Sequence, residues 1–322
     1  MRGPIEFIEV RPNKIGICAA RCLAPARSAM RTGKKRQMST EFGTYHLDRA
    51  TCPETGADIV GLIITQVDTF TNTPFTGNPA AVCLMPEAGN ELWMQHVAQE
   101  MNLVETAFLH PQQDGFHLRW FTPTVEIALC GHATLASAHV LWENGHMPKE
   151  RQARFYTASG LLTAERQGTW IKLDFPAMPA LPAAPPAELA QALGVAPSFI
   201  GKNQFDYLVE VDSEETLRAL KPDMNLLGHV PARGVIVTTR SGSRDYDFIS
   251  RFFAPSAGIN EDPATGSSHC TLAPYWGERL GKREMTAYQA SPRGGMLRVG
   301  VHGERVSISG QAVTVLRAEL LA

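Results

Sequence analysis

The sequence has no long apolar run and no strong excess of charge of one sign, and these two absences exclude several classes of protein. Its apolar stretches, such as 61–64 and 235–237, are far shorter than the roughly 20 residues that cross a bilayer as a helix. The 30 Lys and Arg residues nearly balance 32 Asp and Glu residues, for a net charge of -2. Without a basic excess there is no electrostatic basis for binding nucleic acid. We therefore expect neither a membrane nor a nucleic acid as partner.

Cysteine is present six times, but never in a Cys-x-x-Cys pair that would suggest a metal site. His132 and His139 are seven residues apart, which is not the spacing that places two ligands on one helix face. No secretory leader is evident, so a disulfide framework is not expected and the chain is assigned to the reducing cytoplasm. The sequence thus predicts no metal, with most cysteines packed as small apolar residues.

Positive charge is concentrated at the amino terminus, where residues 1–40 contain nine Lys or Arg and two Glu. Hydrophobic periodicity does not persist through this stretch. Three interpretations stay open: a disordered basic extension, a start assigned too far upstream of Met38, and a transit peptide. Residues 1–60 are therefore predicted to be a basic, disordered extension and are left out of the fold prediction.

From residue 61 the sequence is typical of a strand-rich α+β protein. Asn90 is predicted to cap a helix with apolar residues every fourth position, at Trp93, Val97 and Met101. β-Branched and aromatic segments bounded by turn residues predict strands. These segments are 62–68, 80–84, 116–121, 154–157, 161–165 and 170–175, with a turn-rich connection at 73–79.

A Pro/Ala-rich segment at 175–186 divides this region into two stretches of similar size that resemble each other. Each contains a strand, a Phe-x-Pro turn, a small-residue loop, a helix and a glycine, at an offset of about 131 residues. This common order favours an ancient duplication. We expect two pseudo-symmetric lobes, 61–180 and 187–322.

The two small-residue loops, Cys130–Thr134 and Glu261–Ser267, are the features that first suggest chemistry. Each is predicted to precede a buried helix, over 133–142 and 271–280, with Pro274 near the first turn of the second. The first turn of a helix has free N–H groups and partial positive charge, and glycine lets a ligand approach the backbone. Two such turns placed symmetrically suggest a cleft that binds a carboxylate or another anion.

Glu105 is the only charged residue in the apolar run 102–108. Spacing alone leaves two interpretations equally open. Its side chain could alternate outward to solvent, or its neighbours could desolvate it and raise its pKa into the range useful for proton transfer.

Taken together, these segments resemble the phenazine-biosynthesis PhzF-like family over roughly 62–322. The resemblance is carried by Val67-Asp68-Thr69-Phe70, Gly77-Asn78-Pro79-Ala80-Ala81-Val82, Glu105-Thr106-Ala107-Phe108, Cys130-Gly131-His132-Ala133-Thr134 and Glu261-Asp262-Pro263-Ala264-Thr265-Gly266-Ser267. It implies a diaminopimelate epimerase-like fold, in which each of two lobes is a β-barrel-like sheet around a central helix. It also implies a cofactor-independent isomerase that moves a proton between carbons of a small substrate, and a homodimer.

The resemblance also implies a role for each matched position. Glu105 corresponds to the family's catalytic glutamate, and His132 and Asp262 to residues that assist proton transfer and orient the substrate. The implied substrate contacts are Asn78, Gly131, Gly266 and Ser267.

Two other functions stay open. Related epimerases use two facing thiols, and Cys130 stands at the first position; Pro263, which carries no proton, stands at the second. A thiol-dependent epimerase or racemase is therefore disfavoured, and Cys130 is expected to be a packed small residue. The other alternative is a relative that binds a small ligand without turnover.

Overall fold

The computed structural model describes residues 61–321, and the predicted extension at 1–60 lies outside the described residues. Strands dominate, and each predicted strand is confirmed with an extension of at most two residues at either end. Their bounds in the first half are β1 Leu62–Thr69, β2 Asn78–Leu84, β3 Glu105–Gln112, β4 Gly115–Phe121, β5 Glu126–Ile127, β6 Ala153–Thr157, β7 Gly160–Gln167 and β8 Trp170–Pro176. The first repeat ends with β9 Leu181–Pro182. In the second half the strands are β10 Phe199–Lys202, β11 Asp206–Glu210, β12 Gly234–Arg240, β13 Phe248–Ala254, β14 Ile259–Asp262, β15 Glu284–Gln289, β16 Gly295–His302, β17 Arg305–Gly310 and β18 Ala312–Leu320.

The helices are α1 Glu91–Met101, α2 Gly131–Glu143, α3 Ala187–Leu193, α4 Glu214–Ala219, α5 Met224–Leu227 and α6 Gly266–Leu280. The predicted cap of α1 is confirmed, because the side chain of Asn90 accepts a hydrogen bond from the backbone N–H of Trp93. The side chains that α1 buries are Met94, Val97 and Ala98. Of the predicted apolar positions Val97 is buried, and Trp93 and Met101 are partly buried and pack against the same cluster, so the predicted positions do face the core.

The predicted start of α6 was wrong by five residues, because the helix begins at Gly266 and not at 271. Pro274 consequently lies inside the helix, where its missing N–H leaves the carbonyl of Cys270 without its usual partner. The backbone N–H of Met178, from the proline-rich connection, donates to that carbonyl at 3.0 Å. The connection thus compensates for the proline that the helix contains.

Strand pairing follows the same order in both halves of the chain. In the first half β2–β3 and β4–β6 are parallel pairs, while β3–β4, β4–β5, β6–β7 and β7–β8 are antiparallel. In the second half β11–β12 and β13–β15 are parallel, while β12–β13, β13–β14, β15–β16 and β16–β17 are antiparallel. Helix α2 follows β5 as α6 follows β14. This correspondence supports the predicted duplication.

Two kinds of pairing connect the repeats. Strands β8 and β17, which occupy equivalent places, pair antiparallel with each other. In addition β9, which follows β8, pairs with β10, and β18, which follows β17, pairs with β1. The last strand of each repeat therefore joins the first strand of the other, an exchange that the sequence did not predict. The boundaries of the two lobes, at 61–180 and 187–322, stay a prediction.

The two longest helices lie within the largest core cluster. Eleven of the thirteen residues of α2 are buried, as the apolar pattern of this segment predicts, and α6 buries nine of fifteen. Both contribute side chains to one hydrophobic cluster together with strands of both halves. Their first turns are thereby held at fixed positions. Within residues 61–321, no helix combines the length and the apolar character that a membrane span requires.

Candidate active site

Glu105 is the first residue of β3 and is buried, with 7% of its surface exposed. It follows the end of α1, where Asn102 takes a left-handed conformation (φ 49°) and turns the chain into the strand. The interpretation that Glu105 points outward to solvent is therefore wrong. An ionisable group is buried with this little exposure only where it has partners or a function.

His132, the second residue of α2, faces Glu105. Its Nε2 atom lies 2.9 Å from Oε2 of the glutamate, and both side chains are more than nine-tenths buried. The contact is not aligned as a hydrogen bond, and neither of these two atoms has another partner within residues 61–321. Apart from this contact with each other, neither atom has a structural partner among the described residues that a ligand would have to displace.

Cys130 is the N-cap of α2 and completes this group. Its Sγ accepts a hydrogen bond from the backbone N–H of Ala133 at 3.4 Å and lies 3.4 Å from Nδ1 of His132. Burial raises the pKa of the Cys130 thiol, and the nearby Glu105 carboxylate raises it further. The sulfur is thus a neutral thiol beside the imidazole.

Electrostatics favour a charged imidazole at His132. Burial lowers its pKa, but Cys130 and the Glu105 carboxylate oppose this effect and raise the pKa well above its ordinary value. Because Cys130 is itself protonated, we attribute the direction of the shift mainly to the carboxylate. The pair is therefore best described as an imidazolium beside a carboxylate.

Asp262 ends β14 and comes to the same region from the second repeat. Nδ2 of Asn78, the first residue of β2, donates to Oδ1 of Asp262 at 2.8 Å and to the carbonyl of Ala264 at 2.9 Å. The hydroxyl of Thr265 donates to Oδ2. Asn78 thus connects the first repeat directly to the loop of the second.

Burial raises the pKa of Asp262, and the negative charge of Glu105 also raises it, whereas His132 and the two hydrogen bonds lower it. The influence of Glu105 and His132 on this carboxyl shows that the three ionisable groups share one electrostatic environment. Two carboxyls and one imidazole in a buried setting are suited to exchanging a proton.

The first turns of α2 and α6 approach each other closely at Gly131 and Gly266. A methyl group built on either glycine would lie 3.5 Å from the Cα atom of the other. Ser267, the next residue of α6, is half-buried at this helix start. The structure therefore brings together all seven residues that were assigned to the site from the sequence, and it places two helix N-termini beside them.

Gln289, at the end of β15, was missed by sequence reasoning. Its fully buried side chain accepts from the backbone N–H of Thr265 at 2.8 Å and donates to the carbonyl of Asp262 at 2.7 Å. It also donates to the hydroxyl of Thr265 at 3.1 Å. Gln289 thereby fixes the turn that carries Asp262, and no local pattern marks a residue 27 positions away as its partner.

Asp68 belongs to one of the quoted motifs, but it was given no role. It is buried, and it accepts from the backbone N–H of Phe75 at 2.7 Å and from the guanidinium of Arg293 at 2.8 Å. The same guanidinium donates to the carbonyls of Thr76 and Gly77. These contacts hold the loop immediately before Asn78 against the second repeat.

The remaining histidine and cysteine near the second turn have structural partners. His269 is fully buried, with Nδ1 2.7 Å from the carbonyl of Thr265 and 3.2 Å from the hydroxyl of Ser268. Burial lowers the pKa of His269 to about 4. Burial also raises the pKa of Cys270, one turn into α6, to about 12.

With this geometry established, the comparisons assign the chain to a family. The model of the family described as "Phenazine biosynthesis-like protein" matches residues 67–318, which is well over half of the sequence. The chain belongs to this phenazine biosynthesis-like (PhzC-PhzF) family, as the resemblance implied.

Individual relatives agree with this assignment. An "Uncharacterized isomerase" from Halalkalibacterium halodurans is 59% identical over 256 residues, which cover 79% of this chain and 97% of that protein. A crystal structure of a PhzF family protein from Enterococcus faecalis matches with a TM-score of 0.77 and 39% identity, over 81% of this chain and 99% of that one.

A probable proline racemase from Agrobacterium radiobacter, 13% identical with a TM-score of 0.55 over 80% of this chain and 92% of that one, shares the fold alone. The match to the PhzF family structure confirms the predicted sheet-dominated α+β architecture of the diaminopimelate epimerase-like fold.

Proposed function

We propose that the protein is an isomerase that moves a proton between carbons of a small, carboxylate-bearing substrate without a cofactor. The observation that carries this proposal is the buried pair of Glu105 and His132, whose facing atoms are 2.9 Å apart and lack an aligned partner. The relatives named as isomerases support the reaction class.

Glu105 would act first as base and then as acid. Its carboxylate abstracts an activated C–H proton, and the same proton, or one exchanged with His132, returns at another carbon. Asp262, held by Asn78 and Thr265, orients the substrate from the opposite repeat. The N–H groups at the starts of α2 and α6 stabilise the substrate carboxylate and the negative charge that develops after proton removal.

Incorporation of deuterium from solvent tests this proposal across many candidate substrates at once. A panel of small unsaturated and cyclic carboxylates is incubated with the protein in D2O, and deuterium at carbon is followed by NMR. Glu105→Gln keeps the shape of the side chain but removes the proton carrier. We expect this substitution to lower the rate by about 100-fold or more.

A substitution at a distant carboxylate serves as the control. Asp174, which forms an exposed pair with Arg305, is replaced by Asn and is expected to leave the rate unchanged. Equal rates for Glu105→Gln and the unsubstituted protein would show that another group transfers the proton. Ligands that bind without isotope exchange would instead favour a relative that has lost turnover.

The thiol-dependent alternative predicts that isotope exchange depends on Cys130 and not on Glu105. The neutral thiol and Pro263 at the opposite turn argue against a pair of thiols. Retention of isotope exchange in Cys130→Ser supports the glutamate reaction, and its abolition together with an unaffected Glu105→Gln would support the thiol reaction. The homodimer remains a proposal from the resemblance, and the cytoplasmic location remains one from the cysteine pattern. Sedimentation of the purified protein tests the homodimer.

A further inference from the structure

We propose that Glu105, Cys130 and His132 bind a zinc ion, which inhibits the protein by occupying its proton-transfer site. The zinc is a competitor of the substrate and not a cofactor of the reaction. Its binding depends only on these three side chains, whereas inhibition also rests on the proposed function.

The geometry of the three side chains permits a shared ion. One ligand atom from each, a carboxylate oxygen, a thiol sulfur and an imidazole nitrogen, can be chosen so that all lie within 4.8 Å of one another. Zinc binds sulfur at about 2.3 Å and imidazole nitrogen at about 2.0 Å, so tetrahedral neighbours are about 3.5 Å apart. The separation of 3.4 Å between Sγ of Cys130 and Nδ1 of His132 matches this value.

The availability of these atoms is a second, independent observation. Oε2 of Glu105 and Nε2 of His132 are buried and have no aligned hydrogen-bond partner within the described chain. A cation would satisfy the carboxylate oxygen. Because the thiol faces Nδ1 and the carboxylate faces Nε2 of the same ring, binding through one ring nitrogen requires Cys130 or Glu105 to change its rotamer. Three protein ligands would leave a fourth position for water or a small anion.

The donor types select the metal. Magnesium and calcium prefer shells of oxygen ligands, whereas one thiolate, one imidazole and one carboxylate suit zinc and, as its spectroscopic substitute, cobalt. The Cys130 sulfur, a neutral thiol in the free protein, is also the N-cap of a thirteen-residue helix, whose partial positive charge would add to that of the ion in stabilising the metal-bound thiolate.

Binding exchanges protons for metal without oxidation or reduction. Zinc displaces the proton of the Cys130 thiol and, where present, the second proton of the His132 imidazole, and both are released to solvent. The bound ion then holds the Glu105 carboxylate and the His132 ring, so that neither can accept a proton from a substrate.

Cobalt binding to the full chain tests the site directly. Because Cys18, Cys22 and Cys52 offer competing thiols, the starting protein is the Cys18→Ser, Cys22→Ser, Cys52→Ser variant, which leaves residues 61–321 unaltered. Reduced protein is titrated with cobalt chloride. We expect one equivalent to bind with a thiolate-to-cobalt charge-transfer absorption, and zinc to displace it.

Substitution of single cysteines identifies the ligand. Cys130→Ser in this background is expected to abolish the charge-transfer absorption and to weaken zinc binding by at least about 100-fold. Cys270→Ser is the matched control, since Cys270 is also buried near the start of a long helix, and it should leave both unchanged. Cobalt binding without the absorption, or an equal affinity in Cys130→Ser, would overturn the zinc site.

Inhibition is measured separately with any substrate found by isotope exchange. Zinc should stop exchange at one equivalent, and a chelator should restore it. If zinc binds through Cys130 but Glu105→Gln retains exchange, the proposed reaction fails while the metal site stands. If exchange depends on Glu105 but no thiolate absorption develops, the metal site fails alone.

Discussion

At the scale of single residues, the site is defined by buried polar groups that have few partners of their own. Glu105, His132 and Asp262 together place two carboxyls and an imidazole where solvent hardly reaches. Such groups cost free energy to bury, so the chain retains them only where hydrogen bonds or a function offset that cost. The residues around them that do have full sets of partners, such as Gln289, are the ones that keep the site in place.

Gln289→Met should destabilise the protein while preserving side-chain volume. The substitution leaves the backbone N–H of Thr265 and the carbonyl of Asp262 buried without their partner. Each such loss costs about 1–3 kcal/mol, so we expect the free energy of unfolding in urea to fall by at least about 2 kcal/mol. Gln311→Met, which removes one solvent-exposed hydrogen bond from a half-buried glutamine, should have almost no effect. Equal effects of the two substitutions would contradict this role.

His269 should make the protein sensitive to acid. Its pKa is about 4 in the folded chain and about 6.5 when unfolded, so between these values only the unfolded state is protonated. The stability that its neutral form contributes is complete above pH 6.5 and is lost as the pH falls toward 4. This loss is on the order of 3 kcal/mol.

His269→Asn, which retains a donor for the Thr265 carbonyl, should therefore show a shallower decline in unfolding free energy between about pH 7 and pH 4. His146→Asn, at an exposed site, should decline like the unsubstituted protein. The measurement is urea unfolding at each pH. A decline of the same steepness in both variants would rule out His269 as the cause.

The sequence predicted the members of the site better than their arrangement. Motif resemblance selected Glu105, His132 and Asp262. Spacing alone left it undecided whether the side chain of Glu105 points to solvent or into a site. Alternation along a strand cannot distinguish a residue facing a cleft from one facing water, because both faces admit a carboxylate. Gln289 and Arg293 were not foreseen, since their partners are 24 or more positions away in the chain.

At the scale of secondary-structure elements, the starts of α2 and α6 determine what the site can bind. Both helices lie in one hydrophobic cluster, so their first turns cannot move apart without disturbing the core. The glycines at these starts leave space between the two backbones, and a larger side chain at either position would fill that space.

Gly131→Ala should separate function from stability. The added methyl would lie 3.5 Å from the Cα atom of Gly266, which is an ordinary contact, so the fold should survive with a change in unfolding free energy below about 1 kcal/mol. The methyl would, however, occupy the space between the two helix starts. We expect isotope exchange to fall by about tenfold or more, as for a loss of about 1.4 kcal/mol of transition-state binding.

Gly242→Ala supplies the matched control, because a methyl group there meets open space. Both variants should unfold at similar urea concentrations, and only Gly131→Ala should lose exchange. Unfolding of Gly131→Ala at much lower urea would show that the glycine serves packing and not ligand access.

Sequence patterns predicted elements more reliably than their ends. Strands and the Asn90 cap were found because alternation and capping are local. The start of α6 was missed because Pro274 suggests a first turn. Only a distant donor, the backbone N–H of Met178, makes a proline in the middle of that helix acceptable.

At the scale of the whole molecule, the two repeats are joined by three strand pairings and a shared core. The pairs β8–β17, β1–β18 and β9–β10 connect strands that the duplication alone would have kept apart. Order of motifs along the sequence predicted the repeat. It could not predict the exchange of final strands, because exchange alters the partners of a strand and leaves its sequence pattern unchanged.

Residues 61–321 should consequently unfold in one cooperative transition. Neither repeat can lose its strands without exposing the edge of the other and part of the common core. Tryptophans are found in both repeats, at positions such as 120 and 276. Trp→Phe substitutions that leave a single tryptophan, in one repeat or in the other, give two variants whose fluorescence follows one repeat each. Both fluorescence signals should have the same urea midpoint as circular dichroism. Two separated midpoints would mean that the repeats unfold independently.

The exchange of final strands also bears on how such a chain arose. An ancestor half as long, with the strands β1 to β9, would have a first strand that is paired with β2 on one edge only, and a free last strand. Two copies that exchanged their last strands would form a domain-swapped dimer with the pairings seen here. Fusion of the two genes would then make the exchange permanent. The site would have begun as a contact between identical subunits, and Glu105, which begins β3 where Gly234 begins β12, would mark where the copies diverged.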